Sequence, residues 1–148
     1  MSSGTPNVGE LLVLDTHVWY WFVSGRTDKL ARTIPRRVER AVSAGRAFVS
    51  AMSAWELGML VTKGRLTLSM DVGDWIDASR EPPGIRVTDV TVEIALDGSR
   101  LPAFSQGDPA DRIIVATARS LSATLVTCDD RILDYREAKA VKLLDGRR

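Results

Sequence analysis

The sequence has little cysteine and little histidine, and both scarcities exclude common kinds of site. Cys128 is the single cysteine and His17 the single histidine among 148 residues. A single cysteine cannot form an intramolecular disulfide, and no zinc site built on several cysteines can form either. Proteins without disulfides suit a reducing compartment, so we expect this protein in the cytoplasm.

Long apolar runs are also missing. The longest, such as residues 11–14, are far shorter than the roughly 20 apolar residues that cross a bilayer. Residues 1–10, MSSGTPNVGE, have neither the basic start nor the apolar core of a secretion signal. We therefore expect no membrane association, a flexible segment over residues 1–10 and one domain over residues 11–148, within the usual domain size of ~100–200 residues.

No charge of one sign dominates the chain, since the net charge at pH 7 is only +1. Basic residues are nevertheless concentrated between Arg26 and Arg46, where seven of them stand against two acidic residues. A basic stripe of this kind can follow a nucleic-acid backbone. It can equally be a solvated helix face, and charge alone does not separate the two interpretations.

Short apolar segments alternate with helical patterns along the chain. The segments LLVL, AFVS, IRV, TLVT and AVKLL, at residues 11–14, 47–50, 85–87, 124–127 and 140–144, are predicted strands. Predicted helices cover residues 35–44, 53 to about 64, 71–79, about 91–98 and 108 to about 121. This alternation predicts an α/β fold with a central parallel sheet flanked by helices on both faces. Binding sites in such folds lie beyond the carboxyl ends of the strands.

Acidic residues follow the predicted strands at that edge. They are Asp15 after LLVL, Glu56 one turn into the helix after AFVS, Asp108 and Asp111 at a helix start, and Asp129 and Asp130 after TLVT. A structural alternative exists for each acid. Ser53 and Glu56 fit a capping box, and aspartates at helix starts cap backbone N–H groups. Taken singly, each acid leaves both interpretations open.

A convergence of several carboxylates has a chemical consequence that capping does not require. Like charges repel, so some of the acids would stay protonated unless a cation neutralised them. Ligands that are all oxygen suit Mg²⁺ or Mn²⁺ rather than zinc. A metal held in this way leaves room for a phosphate and an attacking water, which is the chemistry of a phosphodiester nuclease.

Four motifs together resemble those of a known family. LLVLDTHVWYW, SAMSAWELGMLV, GDPADRIIVATA and LVTCDDRIL, in this order and spacing, are similar to the four acidic motifs of PIN-domain proteins. Within that family they are most similar to the VapC-type ribonuclease toxins of bacterial toxin–antitoxin pairs. Each motif alone is weak, but four in register are specific, and the resemblance runs from Leu11 to about Leu144.

The resemblance implies an activity and partners. It implies a PIN-domain-like fold, a Mg²⁺ or Mn²⁺ site and endoribonuclease cleavage of an RNA such as tRNA, rRNA or mRNA. It also implies a cognate VapB-type antitoxin that blocks the site, and a homodimer. The competing hypothesis is a non-catalytic PIN-like module that binds RNA or protein.

The resemblance also assigns residues. Asp15, Glu56, Asp111 and Asp129 match the four acids that bind metal and carry catalysis, the fourth being the most variable in the family. Asp130 could replace Asp129 if the turn shifted by one residue. Three residues are expected in supporting roles: Thr16, which could order the loop or a water, Asp108, which capping explains more fully, and Arg112, which could pair with an acid or a phosphate.

The remaining aromatic and histidine residues are expected to be structural. We interpret Trp19, Trp21 and Trp55 as core or dimer contacts rather than base-stacking platforms. Trp75 lies in an acidic amphipathic stretch and is predicted to be partly exposed, at an antitoxin groove.

A phosphotransferase with Asp15 as nucleophile is disfavoured, because His17 stands where such enzymes carry a second aspartate.

Overall fold

The computed structural model describes residues 9–104, 108–135 and 140–148. Its centre is a five-stranded sheet in the order β3-β2-β1-β4-β5, and every neighbouring pair is parallel. The strands are β1 (Leu12–Leu14), β2 (Ala47–Ser50), β3 (Arg86–Thr88), β4 (Thr124–Thr127) and β5 (Lys142–Asp145). The predictions for β2 and β4 match in full, whereas β1, β3 and β5 begin slightly later than predicted. The predicted α/β class is confirmed.

Helices connect the strands and cover both faces of the sheet. The α-helices in the described ranges are α1 (Thr16–Val23), α2 (Ile34–Ser43), α3 (Ala51–Thr62), α4 (Val72–Ser79), α5 (Val92–Ser99), α6 (Pro109–Ser120) and α7 (Asp130–Leu133). A short 3₁₀ turn at Thr27–Lys29 lies between α1 and α2. Gly45 and Gly64 follow α2 and α3 with φ of +70° and +71°, a left-handed conformation that glycine adopts at low cost and that ends a helix.

Alternation along β1 divides the core into two clusters. Leu12 and Leu14 point into a cluster with Val18, Trp19, Val38, Leu57 and Trp75, contributed by α1, α2, α3 and α4. Val13 points to the opposite face, where Ile114, Val115, Leu125, Ile132 and Tyr135 pack around α6 and α7. Successive side chains of a strand face opposite sides, so a strand buried on both faces is apolar throughout.

Trp75 does not lie at the surface as predicted. It is 6% exposed and packs edge-on against Trp19, with ring centroids 5.2 Å apart. The acidic residues around it, Asp74 and Asp77, occupy the solvent side of α4 while Trp75 faces the core. The acidic residues lie on one face of this helix and the tryptophan on the other, so the predicted partial exposure of Trp75 is wrong.

Two further observations concern the expected domain limits and membrane association. Residues 1–8 of the segment expected to be flexible lie outside the described residues. Within the described ranges, no helix combines the length and apolar character needed to span a bilayer.

Candidate active site

The candidate site lies where the strand order changes direction. From β1 the chain proceeds outward to β2 and β3, and β4 then pairs with the other side of β1. Connections therefore leave β1 and β4 in opposite directions and open a crevice at their carboxyl ends. Asp15 directly follows β1, and Asp129 lies two residues after the end of β4. The fold thus brings together acids that are more than a hundred residues apart in sequence.

Asp15 is buried at the floor of this crevice. It caps α1 by accepting a hydrogen bond from the backbone N–H of Thr16 at 2.8 Å, and its second oxygen accepts from the Thr127 hydroxyl at 2.7 Å. Burial raises the pKa of Asp15, while these two hydrogen bonds act in the opposite direction. The carboxylate is therefore held in one orientation by the start of α1 and the end of β4.

Glu56 is tied to the same loop through Thr16. The Thr16 hydroxyl donates to Glu56 Oε1 and lies 2.9 Å from the hydroxyl of Ser53. A hydroxyl has one proton, so with Thr16 donating to Glu56, Ser53 donates to Thr16. Burial raises the pKa of Glu56, and the charges of Asp15 and Asp108 add to the effect.

The capping-box interpretation of Glu56 is wrong. Helix α3 begins at Ala51 rather than at Ser53, and Ser50 is its cap, accepting from the N–H of Met52 at 3.0 Å. Glu56 therefore lies in the second turn of α3, where its carboxylate faces Thr16 across the crevice. The predicted supporting residue Thr16 lies within the site, 1% exposed.

Asp111 is a buried acid of the crevice whose pKa is strongly raised. It is 4% exposed, and its Oδ2 atom is buried without a hydrogen bond. Burial raises its pKa to about 8, with further contributions from the charges of Asp108, Asp129 and Asp15. A buried carboxylate oxygen without a donor is costly in a folded protein unless a cation or ligand compensates for it.

Arg131 extends from α7 into the space between three of the acids. Its Nη2 atom lies 3.3 Å from Asp111 Oδ2, 3.3 Å from Asp129 Oδ2 and 3.9 Å from Asp108 Oδ2. The contact with Asp111 is close enough for an ion pair but is not aligned as a hydrogen bond, which is why Oδ2 remains without one. Arg131 lowers the pKa of Asp111 only in part.

Of the two candidates for the fourth acid, Asp129 faces the crevice and Asp130 faces away. Asp129 caps α7 through Oδ1, which accepts from the N–H of Arg131 at 2.8 Å, and its Oδ2 faces the Arg131 guanidinium. Asp130 is 79% exposed at its side chain and pairs with Arg147 at 2.9 Å.

Asp108 both starts α6 and borders the crevice. Its Oδ1 accepts from the N–H groups of Ala110 and Asp111 at 2.9 and 3.5 Å, and Pro109 occupies the first helical position. Its Oδ2 is the atom that faces Arg131. The capping role predicted for Asp108 is present, and the second oxygen remains available to the site.

Arg112 is directed towards α5 and the loop that follows it, and the His17 ring lies against Trp21. Arg112 donates to the backbone oxygens of Gly98 and Phe104 at 3.2 and 2.7 Å, and its guanidinium stacks on the Phe104 ring. It joins α6 to α5 and the following loop. His17 is exposed and its ring packs against Trp21 at a centroid distance of 5.4 Å.

Thr127 and Arg131 line the crevice, although the sequence analysis assigned neither of them a role. Thr127, fully buried at the end of β4, donates to Asp15 and accepts from the N–H of Asp129 at 3.0 Å. The sequence did offer one signal for Thr127, since it is a polar residue at the end of an apolar strand, two positions before Asp129. Arg131 carried no signal, because an arginine in the first turn after an acidic cap is typical of an ordinary surface position.

The donor set fits a divalent cation in chemistry, although the side chains do not enclose one as they stand. Among the residues described, no group of three or more His, Cys, Asp or Glu side chains is arranged to hold a metal ion. The ligands available are carboxylate oxygens, and Asp111 Oδ2 is buried without a donor. Hard oxygen donors with unbalanced negative charge are what Mg²⁺ and Mn²⁺ bind.

An open groove of about 740 Å³ runs from the crevice along α3. Its walls are mostly apolar, with Met52, Trp55, Met59 and Leu60 on α3 and Pro109 opposite. Glu56 and Asp108 lie on its lining as well. Trp55 is 60% exposed, so the expectation that it belongs to the core is wrong, and its expected role as a dimer contact stays a prediction.

The sheet order and the crevice define an α/β protein with a carboxylate cluster at its topological switch point. The model of the PIN domain family matches residues 12–138. The chain belongs to the PIN domain family, as its motifs indicated. Ribonuclease VapC22 of Mycobacterium tuberculosis is 33% identical over 130 residues, which are 88% of this chain and 95% of that protein.

Solved structures share the fold. The crystal structure of VapBC2 from Rickettsia felis bound to a promoter DNA fragment matches with a TM-score of 0.66 and 14% identity, covering 91% of this chain and 98% of that chain. The structure of FitAB bound to the IR36 DNA fragment matches with a TM-score of 0.57 and 20% identity, covering 90% and 94%. At these identities the likeness concerns the fold alone.

Proposed function

We propose that this chain is a divalent-metal-dependent endoribonuclease that a cognate antitoxin keeps inactive. One observation carries the proposal: acids from four separate elements meet in one crevice, with an oxygen of Asp111 buried there without a hydrogen bond. A similar protein over nearly its whole length is named a ribonuclease, which supports the activity. Buried like charges at one edge of a sheet are costly for stability and are typical of functional sites.

Asp15, Glu56, Asp111 and Asp129 would hold the metal, which we take to be Mg²⁺ or Mn²⁺. A bound divalent cation supplies a Lewis acid beside the phosphodiester and makes a nearby water more acidic. The protein orients its acids beforehand. Thr127 holds Asp15, Thr16 holds Glu56, and the backbone N–H groups at the start of α7 hold Asp129.

Arginines on α2 and just before it would supply contacts to the RNA backbone. Arg32, Arg36 and Arg40 are exposed. By contrast, the neighbouring Arg37 donates to Glu10 at 2.9 Å. Charges presented in this way bind phosphates without regard to sequence. Recognition of a particular RNA would depend on its shape and its unpaired bases.

A nuclease of this kind needs an inhibitor in its own cell, which we propose to be a VapB-type antitoxin acting in the cytoplasm. Two of the structures that share the fold, VapBC2 and FitAB, are complexes with DNA.

We also propose that the toxin itself forms a homodimer. Light scattering during gel filtration measures this directly, and a mass near the 16.2 kDa of one chain would refute the dimer.

RNA cleavage by the purified chain tests the activity. A mixture of tRNA and rRNA is incubated with EDTA, Mg²⁺ or Mn²⁺, and Asp111→Asn is purified identically as the matched control. We expect discrete cuts that require the metal and disappear in the variant. Equal cutting by both proteins would identify a contaminant, and no cutting by a folded wild type would favour the non-catalytic binding module.

A further inference from the structure

Arg131 stands where a cation would be needed in the crevice. One terminal nitrogen of its guanidinium lies within 4 Å of oxygens from Asp108, Asp111 and Asp129. These three carboxylates come from two elements, the start of α6 and the start of α7. Their negative charges repel one another, and the Arg131 charge partly offsets that repulsion. Arg131 is thus the counter-ion that the chain itself provides.

The ion pairs of Arg131 with the three acids are long. The three distances, 3.3, 3.3 and 3.9 Å, exceed the 2.7–2.9 Å of strong charge-assisted hydrogen bonds. Asp111 Oδ2 gains no aligned hydrogen bond from it. The Arg131 side chain is 51% exposed, whereas that of Asp111 is 5% exposed. A half-exposed arginine bound loosely can rotate into solvent without unpacking the core.

A guanidinium and a divalent cation cannot occupy the same space between these acids. Both are cations that need the oxygens of Asp111 and Asp129, and bringing them together would add charge repulsion. A metal that binds these oxygens must therefore displace Arg131. The acids, as they stand around Arg131, do not enclose a metal ion in the described part of the chain, which fits this competition.

We propose that Arg131 is a built-in competitor of the metal, a counter-cation that balances the acidic crevice until a divalent ion displaces it. The proposal rests on the metal site of the proposed function. It concerns a residue that supplies no ligand to the metal. Arg131 lowers the metal affinity and keeps the metal-free acids from repelling one another.

Mn²⁺ binding, followed by the loss of the free-ion electron paramagnetic resonance signal, tests the proposal without any need for activity. In Arg131→Gln, which keeps a polar side chain but removes the charge, we expect roughly three- to tenfold tighter Mn²⁺ binding than in wild type, the range that a few partly exposed ion pairs represent. Arg131→Lys keeps a charge and should stay within about twofold of wild type.

Arg147→Gln is the matched control. Arg147 is another half-exposed arginine after the same sheet edge, but it pairs with Asp130 and Asp145 instead of the crevice acids. Its replacement should leave Mn²⁺ binding unchanged. Thermal melting of every variant without metal verifies that each is folded, and Asp111→Asn in the Arg131→Gln background should abolish the binding.

Two different failures can be told apart. Equal or weaker Mn²⁺ binding by Arg131→Gln, in a wild type that binds Mn²⁺ and cuts RNA, would overturn the competition alone. No Mn²⁺ binding by either protein, together with RNA cutting that EDTA does not stop, would overturn the metal site and with it this proposal.

Discussion

In three acids of the crevice, one carboxylate oxygen caps a helix and the other oxygen faces the crevice. In Asp15, Asp108 and Asp129, Oδ1 accepts a backbone N–H at the start of a helix, while Oδ2 turns towards Thr127 or Arg131. Capping and participation in the site, which the sequence presents as alternatives, are therefore compatible at each position. Asp111 differs, because it caps nothing and lies inside the first turn of α6.

The raised pKa of Asp111, about 8, predicts how stability varies with pH. The folded protein retains a proton that the unfolded chain loses near pH 4, so folding stability falls between about pH 4 and pH 8. Asp15 and Glu56, whose pKa values are also raised, act in the same direction. We expect Asp111→Asn to match wild type only at or below about pH 4 without metal, to exceed it increasingly as the pH rises, and to melt about 3 °C or more higher at pH 8–9.

Melting curves recorded with EDTA from pH 5 to pH 9 measure this difference. Asp130→Asn serves as the control, since Asp130 is exposed and pairs with Arg147. It should not show the same gain at high pH. A constant difference between Asp111→Asn and wild type across this range would mean that Asp111 does not hold its proton in the folded protein.

Thr127 is predicted to matter more through its hydroxyl than through its methyl group. Thr127→Val keeps the shape but leaves Asp15 Oδ2 and the N–H of Asp129 without this partner, which should cost about 1–3 kcal/mol of stability. Thr127→Ser retains the hydroxyl and should recover most of that stability. Urea denaturation measures both variants, and equal stability of the valine variant and wild type would refute the bonding role.

At the scale of elements, two substitutions of Asp108 separate its capping of α6 from the contribution of its charge to the crevice. Asn caps helices about as well as Asp, whereas Ala does not. Asp108→Ala should therefore lose about 1 kcal/mol of stability, while Asp108→Asn should stay close to wild type. Chemical denaturation of the pair gives the answer. If both variants lost the same stability, the charge of Asp108 rather than its cap would be responsible.

The positions of the strands and of most helices could be predicted from the sequence, because the spacing of apolar residues and the turn residues between them determine these elements locally. Helix α1 was not predicted, since THVWYWFV is apolar on nearly all sides and rich in residues that also favour strands. It becomes helical because Asp15 caps it and Trp19 fills the core. The start of α3 was misplaced because Ser50 and Ser53 are both suitable caps, and only tertiary structure chooses between them.

For the candidate site, the sequence points to the acids but not to the contacts between them and their neighbours. Strand ends locate Asp15 and Asp129, and the motifs of the family locate Glu56 and Asp111. The contact between Arg131 and three carboxylates depends on how α7 lies against α6, which no local pattern records. The same holds for Arg112, whose partners are backbone oxygens of another element and loop.

For the molecule as a whole, charge distribution predicts how RNA binding responds to salt. In the Asp111→Asn background, which prevents cutting, replacing Arg36 and Arg40 by Gln should lower the slope of log Kd against log salt by about 0.7 for each phosphate that the protein no longer neutralises. Fluorescence anisotropy with a labelled single-stranded RNA measures the slope. Arg100→Gln, at the end of α5, is the control, and an equal change in it would refute a role for α2.

The hydrogen bond between Thr127 and Asp15 joins residues 112 positions apart, and β4 is the direct neighbour of β1. During synthesis, Asp15 and Glu56 therefore leave the ribosome long before the strand that completes their surroundings. A chain interrupted before residue 124 lacks Asp129, Arg131 and the pairing of one side of β1. We therefore expect unfinished copies of this protein to lack nuclease activity, which would arise only once β4 and α7 have been made.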